Sequence, residues 1–397
     1  MSIYENEEIV FGEDREEIKN WDDDQINHKY LEGDVRIVTE QARYPLNTIT
    51  ILLDSGNYEL NPIFQRRHRW DNQKRSRLIE SFIMNVPIPP IFLYENEYSH
   101  YEVMDGLQRL TTINKFYRDE FELEGLEYWQ ELNGKKYSQL PEKIKQGIDR
   151  RYISSIILLQ ETAKDLNQAN TMKQLVFERI NNGGIKLEGQ ETRNAIYNGK
   201  MNQLCLKLSE NQYLHRLLMM PLKEDFSCEE EYEDALITDK LYSDMTDVEY
   251  VLRYFAMRQI EGYSGRTLKS FLDIYLKKAN ILDVEVLEKL ESNFNQTVEF
   301  VYELLGENAF QLWRKRKNGW KWLERPTTSV YDAIMFILNE MYPYKEELIN
   351  KKDTIREQIK ELYEQHESDF EGRNNNKNDI QKRRELFKEF FSKYLGE

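Results

Sequence analysis

Apolar positions along this chain follow two periods. In the first half, short β-like runs alternate with helical stripes; in the second half the three- and four-residue spacing of helices continues almost unbroken. Leu46, Ile49, Ile51, Leu52 and Leu53 predict a short helix ending near Ser55-Gly56. Asp71 is a good N-cap for a helix whose stripe is Leu78, Ile79, Phe82 and Ile83, stopping at Val86-Pro87. Ile88 to Tyr94 reads as extended, and Tyr101 to Met104 can pair with it as a hairpin across Glu95 to His100. Asp105-Gly106 is a turn, after which Leu110, Ile113, Phe116 and Tyr117 recur at helical spacing. Residues from Tyr128 to Arg151 are polar and helical, and the Ile-rich run Ile153 to Leu159 is a buried strand. Met172, Leu175, Val176 and Ile180 give a helix that Asn181-Asn182-Gly183-Gly184 closes, and another begins at Leu187. From about residue 201 almost only helices are expected, with clear stripes around Val248–Phe255, Leu268–Leu276, Val284–Leu305, Val330–Met341 and Leu386–Leu395.

This pattern predicts an α+β chain: an α/β domain over residues 41–210 and an all-α domain over 211–397, behind an acidic, partly flexible lead-in at 1–40. Pro221 and the acidic stretch Glu229 to Asp234 mark the change. The 397 residues suffice for two or three cores, and 17 Gly plus 9 Pro are too few for a loop-rich all-β protein. No window approaches the roughly 18 apolar residues of a membrane span, and the acidic start is unlike a signal peptide. Two cysteines, Cys205 and Cys228, fit a reducing cytoplasm, the expected location.

Charge sharpens the picture locally. The net charge of −16 argues against a protein that coats nucleic acid along its whole surface. Yet Arg66, Arg67, Arg69, Lys74, Arg75 and Arg77 face Asp71 alone between residues 64 and 77, a surplus that suits an anionic partner or a solvated helix face. In the Asp105–Thr112 stretch, Gly106 lets backbone approach a ligand, the helix start offers unpaired N–H groups, and Arg109 brings a planar donor fork. An anion site, most naturally for a phosphate chain, is one reading; an ordinary turn with a solvated arginine is the other.

Four motifs then occur in a fixed order: Pro62-x-Phe64-Gln65-Arg66, the helix running to Pro87-Ile88-Pro89, Asp105-Gly106-x-Gln108-Arg109-Leu110-Thr111-Thr112, and Phe177-Glu178-Arg179-Ile180-Asn181. Together they resemble the DGQQR-motif domain family of GmrS-type subunits in modification-dependent restriction systems. The resemblance spans roughly residues 44–200 and implies a ParB/sulfiredoxin-like α/β fold that holds a nucleoside triphosphate. It implies that Arg66 and Arg109 hold phosphates, and that Asp105 binds Mg2+ or orients water. Gln65 and Gln108 would position nucleotide or water, with Asp105, Gln108 and Arg109 as the catalytic set. Arg69, Gly106, Thr111, Thr112, Arg179 and Asn181 complete the expected cofactor contacts, and Glu191 serves as capping or support. Phosphoryl transfer needs mainly positioning and charge neutralisation. Charged hydrogen bonds of about 1.5–3 kcal/mol each make micromolar-class binding reachable from two arginines and a helix start. Leu107 replaces the family's first Gln, so binding is the firmer expectation and hydrolysis the open one.

The family is often coupled to an HNH nuclease, but His28, His68, His100, His215 and His366 are scattered, so that domain is not expected here. Basic residues interleaved with tryptophan over Trp313–Trp322 are a second candidate for nucleic-acid contact, and Gly372–Lys377 with Arg383 and Arg384 a weaker one. The resulting expectation is a nucleotide-binding defence protein, NTP hydrolysis open, that gates DNA recognition or a separate nuclease subunit. The alternatives are a non-catalytic DNA-binding or regulatory module, and a nuclease acting through the ParB-like domain itself. An oligomer is compatible with all three.

Overall fold

The computed structural model describes residues 4–11, 22–32, 37–60, 67, 70–162, 172–173, 175–176, 179, 189–263, 267–317, 319–370 and 376–396. Contacts divide the chain into two compact units, Glu17–Leu187 and Met1–Glu16 with Glu188–Glu397. The division thus falls ahead of the boundary at 210, because helices α6 (Gly189–Ile196) and α7 (Lys200–Ser209) pack with the C-terminal helices rather than with the sheet.

The first unit is built on a five-stranded mixed sheet in the order β1-β5-β3-β4-β2, with β1 Thr39–Pro45, β2 Tyr58–Glu59, β3 Ile91–Glu97, β4 His100–Asp105 and β5 Tyr152–Leu158. β3 runs antiparallel to β4 and parallel to β5. Ile153 and Ile157 of β5, with Ile91 and Leu93 of β3, turn toward two helices. These are α3 (Asn72–Met84), contributing Leu78, Ile79 and Phe82, and α4 (Leu107–Tyr117), contributing Leu110, Ile113 and Phe116. Asp71 caps α3 as expected, accepting the Lys74 N–H at 2.7 Å. On the other sheet face Tyr94 and Leu158 are covered by Val176, while Lys173 pairs with Glu102 at 2.5 Å and lies over the Tyr94 ring.

The long connection after α4 carries its own anchors. Buried Glu80 accepts the backbone N–H groups of Tyr128 (2.8 Å), Trp129 (2.9 Å) and Glu127 (3.3 Å). Tyr117 and Tyr137 both donate to Asp149, and burial together with that carboxylate pushes the Tyr137 phenol up to about 12.

The second unit is helical around α11 (Thr246–Met257), nearly every residue of which is buried. Arg253 forms a bidentate pair with Asp332 inside it. Two expectations are corrected here. Residues 4–11 are not a loose lead-in: Glu7 is fully buried on Arg258 at 2.9 Å, and Gln259 exchanges hydrogen bonds with the Glu7 carbonyl and the Ile9 N–H. Burial raises the Glu7 pKa, and Arg258 opposes that rise. Nor is the unit all-α, because Trp313–Arg316 and Gly319–Trp322 form an antiparallel hairpin. Trp313 and Trp322 are cross-strand partners there, and Gly319 at the start of the second strand takes φ +105°. Among the described residues no helix is long and apolar enough to cross a membrane.

The Glu80 anchor yields an expected outcome. Glu80→Ala leaves three loop N–H groups without their carboxylate and should cost about 2–4 kcal/mol, read from the urea midpoint of the sheet unit's unfolding. Glu80→Gln should recover part of that loss.

Candidate functional site

The site predicted around Asp105 is assembled where β4 ends and α4 begins. Asp105 pairs with Phe92 whereas Val103 pairs with Leu93, so Met104 is an extra residue in the strand. Such a bulge bends the strand and re-aims the residue that follows. Gly106 then takes φ +93°, ψ 10° and stands as N-cap of α4 with no side-chain cap. A Cβ at this position would lie 2.4 Å from Cγ2 and 2.9 Å from Cβ of Ile91. The turn therefore needs glycine twice, for its dihedral and for its approach to β3. Gly106 supplies no capping oxygen to the first N–H groups of α4, the kind of helix start at which anions are favoured.

Arg109 organises the turn. One terminal nitrogen donates to the carbonyls of Pro89 (2.6 Å) and Pro90 (3.3 Å), the other to Asp105 Oδ2 (2.8 Å). Its side chain is only 11% exposed while that of Asp105 is 38% exposed, so the carboxylate is the more open member of the pair. Gln108 accepts the Trp70 N–H at 3.4 Å, which brings the end of the Pro62–Trp70 stretch to the turn. Within that stretch Arg67 is buried, whereas Gln65, Arg66 and Arg69 lie outside the described residues.

The remaining candidates separate. Leu107 is 6% exposed, so the position that departs from the DGQQR pattern points into the protein. The Thr111 hydroxyl donates to the Leu107 carbonyl at 2.8 Å, and Thr112 is buried. Arg179 is helical and exposed, and Asn181 lies outside the described residues. Glu191 is buried in the first turn of α6, within the helical unit. Two partners of the site were missed from sequence: the carbonyls of Pro89 and Pro90, which no side-chain pattern announces. The Pro-Pro pair was the available signal, since it holds the chain extended beside the turn.

As to a cation, no group of three His, Cys, Asp or Glu converges as a metal site among the described residues. Asp105 alone fits the way Mg2+ is commonly held, by one or two carboxylates with phosphate oxygens and water as the other ligands.

Gly106→Ala should lower unfolding stability by roughly 2–4 kcal/mol, from positive φ and overlap together. Ile91→Ala in the same chain should restore little, because the Ile91 Cβ that remains is itself 2.9 Å from the added methyl. Chemical denaturation of the two variants reads both effects.

Residues 49–198 match the family model described as GmrSD restriction endonuclease, N-terminal domain. No curated protein and no solved structure matches the chain. The match begins at α2 (Ile49–Asp54), takes in the strands β2 to β5 and the Asp105–Arg109 turn, and ends just after α6 (Gly189–Ile196). Over residues 49–198 this chain is therefore similar to the GmrSD restriction endonuclease N-terminal domain, a likeness that points to a component of a restriction-type defence system.

Proposed function

We propose that the Asp105–Arg109 turn receives the phosphates of a nucleoside triphosphate, in a domain of ParB/sulfiredoxin-like fold. Binding there gates DNA recognition or a separate nuclease subunit of the defence system. The observation that carries this reading is the uncapped start of α4 behind a left-handed Gly106, with the half-open Asp105 carboxylate beside it. Backbone N–H groups meet phosphate oxygens there, and Mg2+ held by Asp105 supplies charge neutralisation to the chain of phosphates. Gln108, already bridged to Trp70, is placed to orient nucleotide or water, and Arg66 and Arg69 belong to the stretch that Trp70 ends.

Arg109 has two roles in this account. With Pro89, Pro90 and Asp105 it fixes the turn, and it sets a permanent positive charge beside the helix start. Its engagement is also the observation that favours a second reading, in which the turn is purely structural inside a regulatory DNA-binding module. Hydrolysis is separate from binding. Leu107, being buried, contributes no ligand-facing group, so orienting an attacking water falls to Asp105, Gln108 and Gln65.

Filter binding of radiolabelled ATP and GTP with Mg2+ distinguishes the readings. The wild-type protein should retain one of them with micromolar-class affinity, about −8 kcal/mol. Asp105→Asn and Arg109→Ala should each weaken retention tenfold or more, and release of labelled phosphate in the same samples reports hydrolysis. Equal retention by all three proteins, or none by the wild type, contradicts the proposal.

A further inference from the structure

The hairpin of the helical unit has a charge distribution that folding does not explain. Strands β6 (Trp313–Arg316) and β7 (Gly319–Trp322) pair Trp313 with Trp322, Arg314 with Lys321, Lys315 with Trp320 and Arg316 with Gly319. The first of these pairs anchors the ribbon. The two tryptophan rings meet at 5.3 Å, Trp322 lies edge-on to Tyr363 at 5.9 Å, and Trp313 Nε1 donates to Glu364 at 2.8 Å. Tyr363 and Glu364 belong to helix α16 (Lys352–Gln365), so one face is fixed there at the base. Successive pairs alternate faces, which turns Arg314, Arg316 and Lys321 away from the anchored face and leaves Lys315 and Trp320 beyond it toward the tip.

Five cations, Arg314, Lys315, Arg316, Lys317 and Lys321, and no acidic residue occupy Trp313–Trp322, in a protein whose net charge is −16. Lys315, Arg316, Lys317 and Lys321 are exposed. Lys321 reaches Glu324 only at 3.9 Å, and among the described residues no carboxylate pairs with Arg314, Lys315, Arg316 or Lys317. Arg314 and Lys321 stand directly opposite each other, a like-charge pair that destabilises a ribbon. The groove of about 790 Å³ beside the hairpin has no such bias: Lys345, Lys352, Arg356 and Lys360 are matched there by Glu303, Glu307, Glu346 and Glu357.

We propose that this hairpin is a duplex-DNA contact that reads the phosphate backbone without regard to sequence. A two-stranded ribbon fits the major groove, about 12 Å wide. Cations on both of its faces meet the two phosphate rows that line such a groove, which a one-sided basic patch does not do. With acidic surface elsewhere, the ribbon also orients the protein as it approaches the polyanion. Half-buried Trp320 shares the Lys315 side and adds a flat contact next to it. The contact is independent of the nucleotide site and lies in the other unit.

The test is fluorescence anisotropy of a labelled mixed-sequence duplex, titrated with the full chain across a series of salt concentrations, with and without ATP or GTP and Mg2+. The comparison is with K315Q/R316Q/K317Q and with a control of equal charge loss in the same unit, K269Q/K388Q/K393Q. The hairpin variant should bind the duplex about a hundredfold more weakly near 0.1 M salt, with the slope of log affinity against log salt reduced by about three. The control should stay within about threefold of wild type. Circular dichroism and retained nucleotide binding in the hairpin variant show that folding and the Asp105 site are intact, so a failure here is distinct from a failure of the nucleotide reading. Equal losses in both variants, no loss in the hairpin variant, or no duplex binding by the wild type in any condition each overturns the proposal.

Discussion

The absence of a side chain at residue 106 is the constraint on which the sheet unit's site depends. Strand β4 and helix α4 meet there at positive φ, with the backbone pressed against Ile91 so closely that a methyl group has no room. That contact fixes where the first turn of α4 begins. Arg109, one turn along, can then reach back to Asp105 and across to the carbonyls of Pro89 and Pro90. The bulge at Met104 sets the direction of Asp105. A turn, a bulge, a proline pair and an arginine fork thus form one mechanical unit, and its outward products are an uncapped helix start and a half-open carboxylate.

The rest of the unit supports this junction from behind. The apolar faces of α3 and α4 close on Ile91, Leu93, Ile153 and Ile157, so the strand that Gly106 touches is itself held from the core side. Glu80 and Asp149 gather the long connection after α4 by accepting loop N–H groups and tyrosine hydroxyls, while Phe121, Leu123, Leu132 and Leu140 tie the same segment into the core. The helical unit follows a different rule. Its stability centres on α11, and its buried cations are each committed to carboxylates or carbonyls, as Arg253 is to Asp332, Arg258 to Glu7 and Arg384 to the Met257 carbonyl. Against that background the uncommitted cations of the hairpin stand out.

Much of this was legible in the sequence, for physical reasons that differ from element to element. The helix after Asp71 announced itself through its cap and stripe, and the β3–β4 hairpin through a half-buried pattern ending at an Asp-Gly turn. The Asp105–Arg109 turn stands out through its resemblance, with the motifs around it, to the DGQQR pattern, because an Asp-Gly turn followed by an arginine also suits an ordinary helix start. What was not legible depended on contacts distant in sequence. The Pro89 and Pro90 partners of Arg109 are hidden because carbonyl acceptors leave no side-chain signature. The acidic start was read as loose because Arg258 and Gln259, which receive Glu7, lie some 250 residues away. The Trp313–Trp322 hairpin lies in a half of the chain whose apolar spacing is otherwise helical, and only strand register shows Trp313 and Trp322 to be cross-strand partners.

The central claim is that the start of α4 is a triphosphate site. A crystal structure of the full chain grown with Mg2+ and a non-hydrolysable ATP or GTP analogue tests it most directly. The account expects phosphate density at the N–H groups of Leu107, Gln108 and Arg109, with a cation on Asp105. Nucleotide bound elsewhere, or a turn unchanged and empty at saturating analogue, would contradict it.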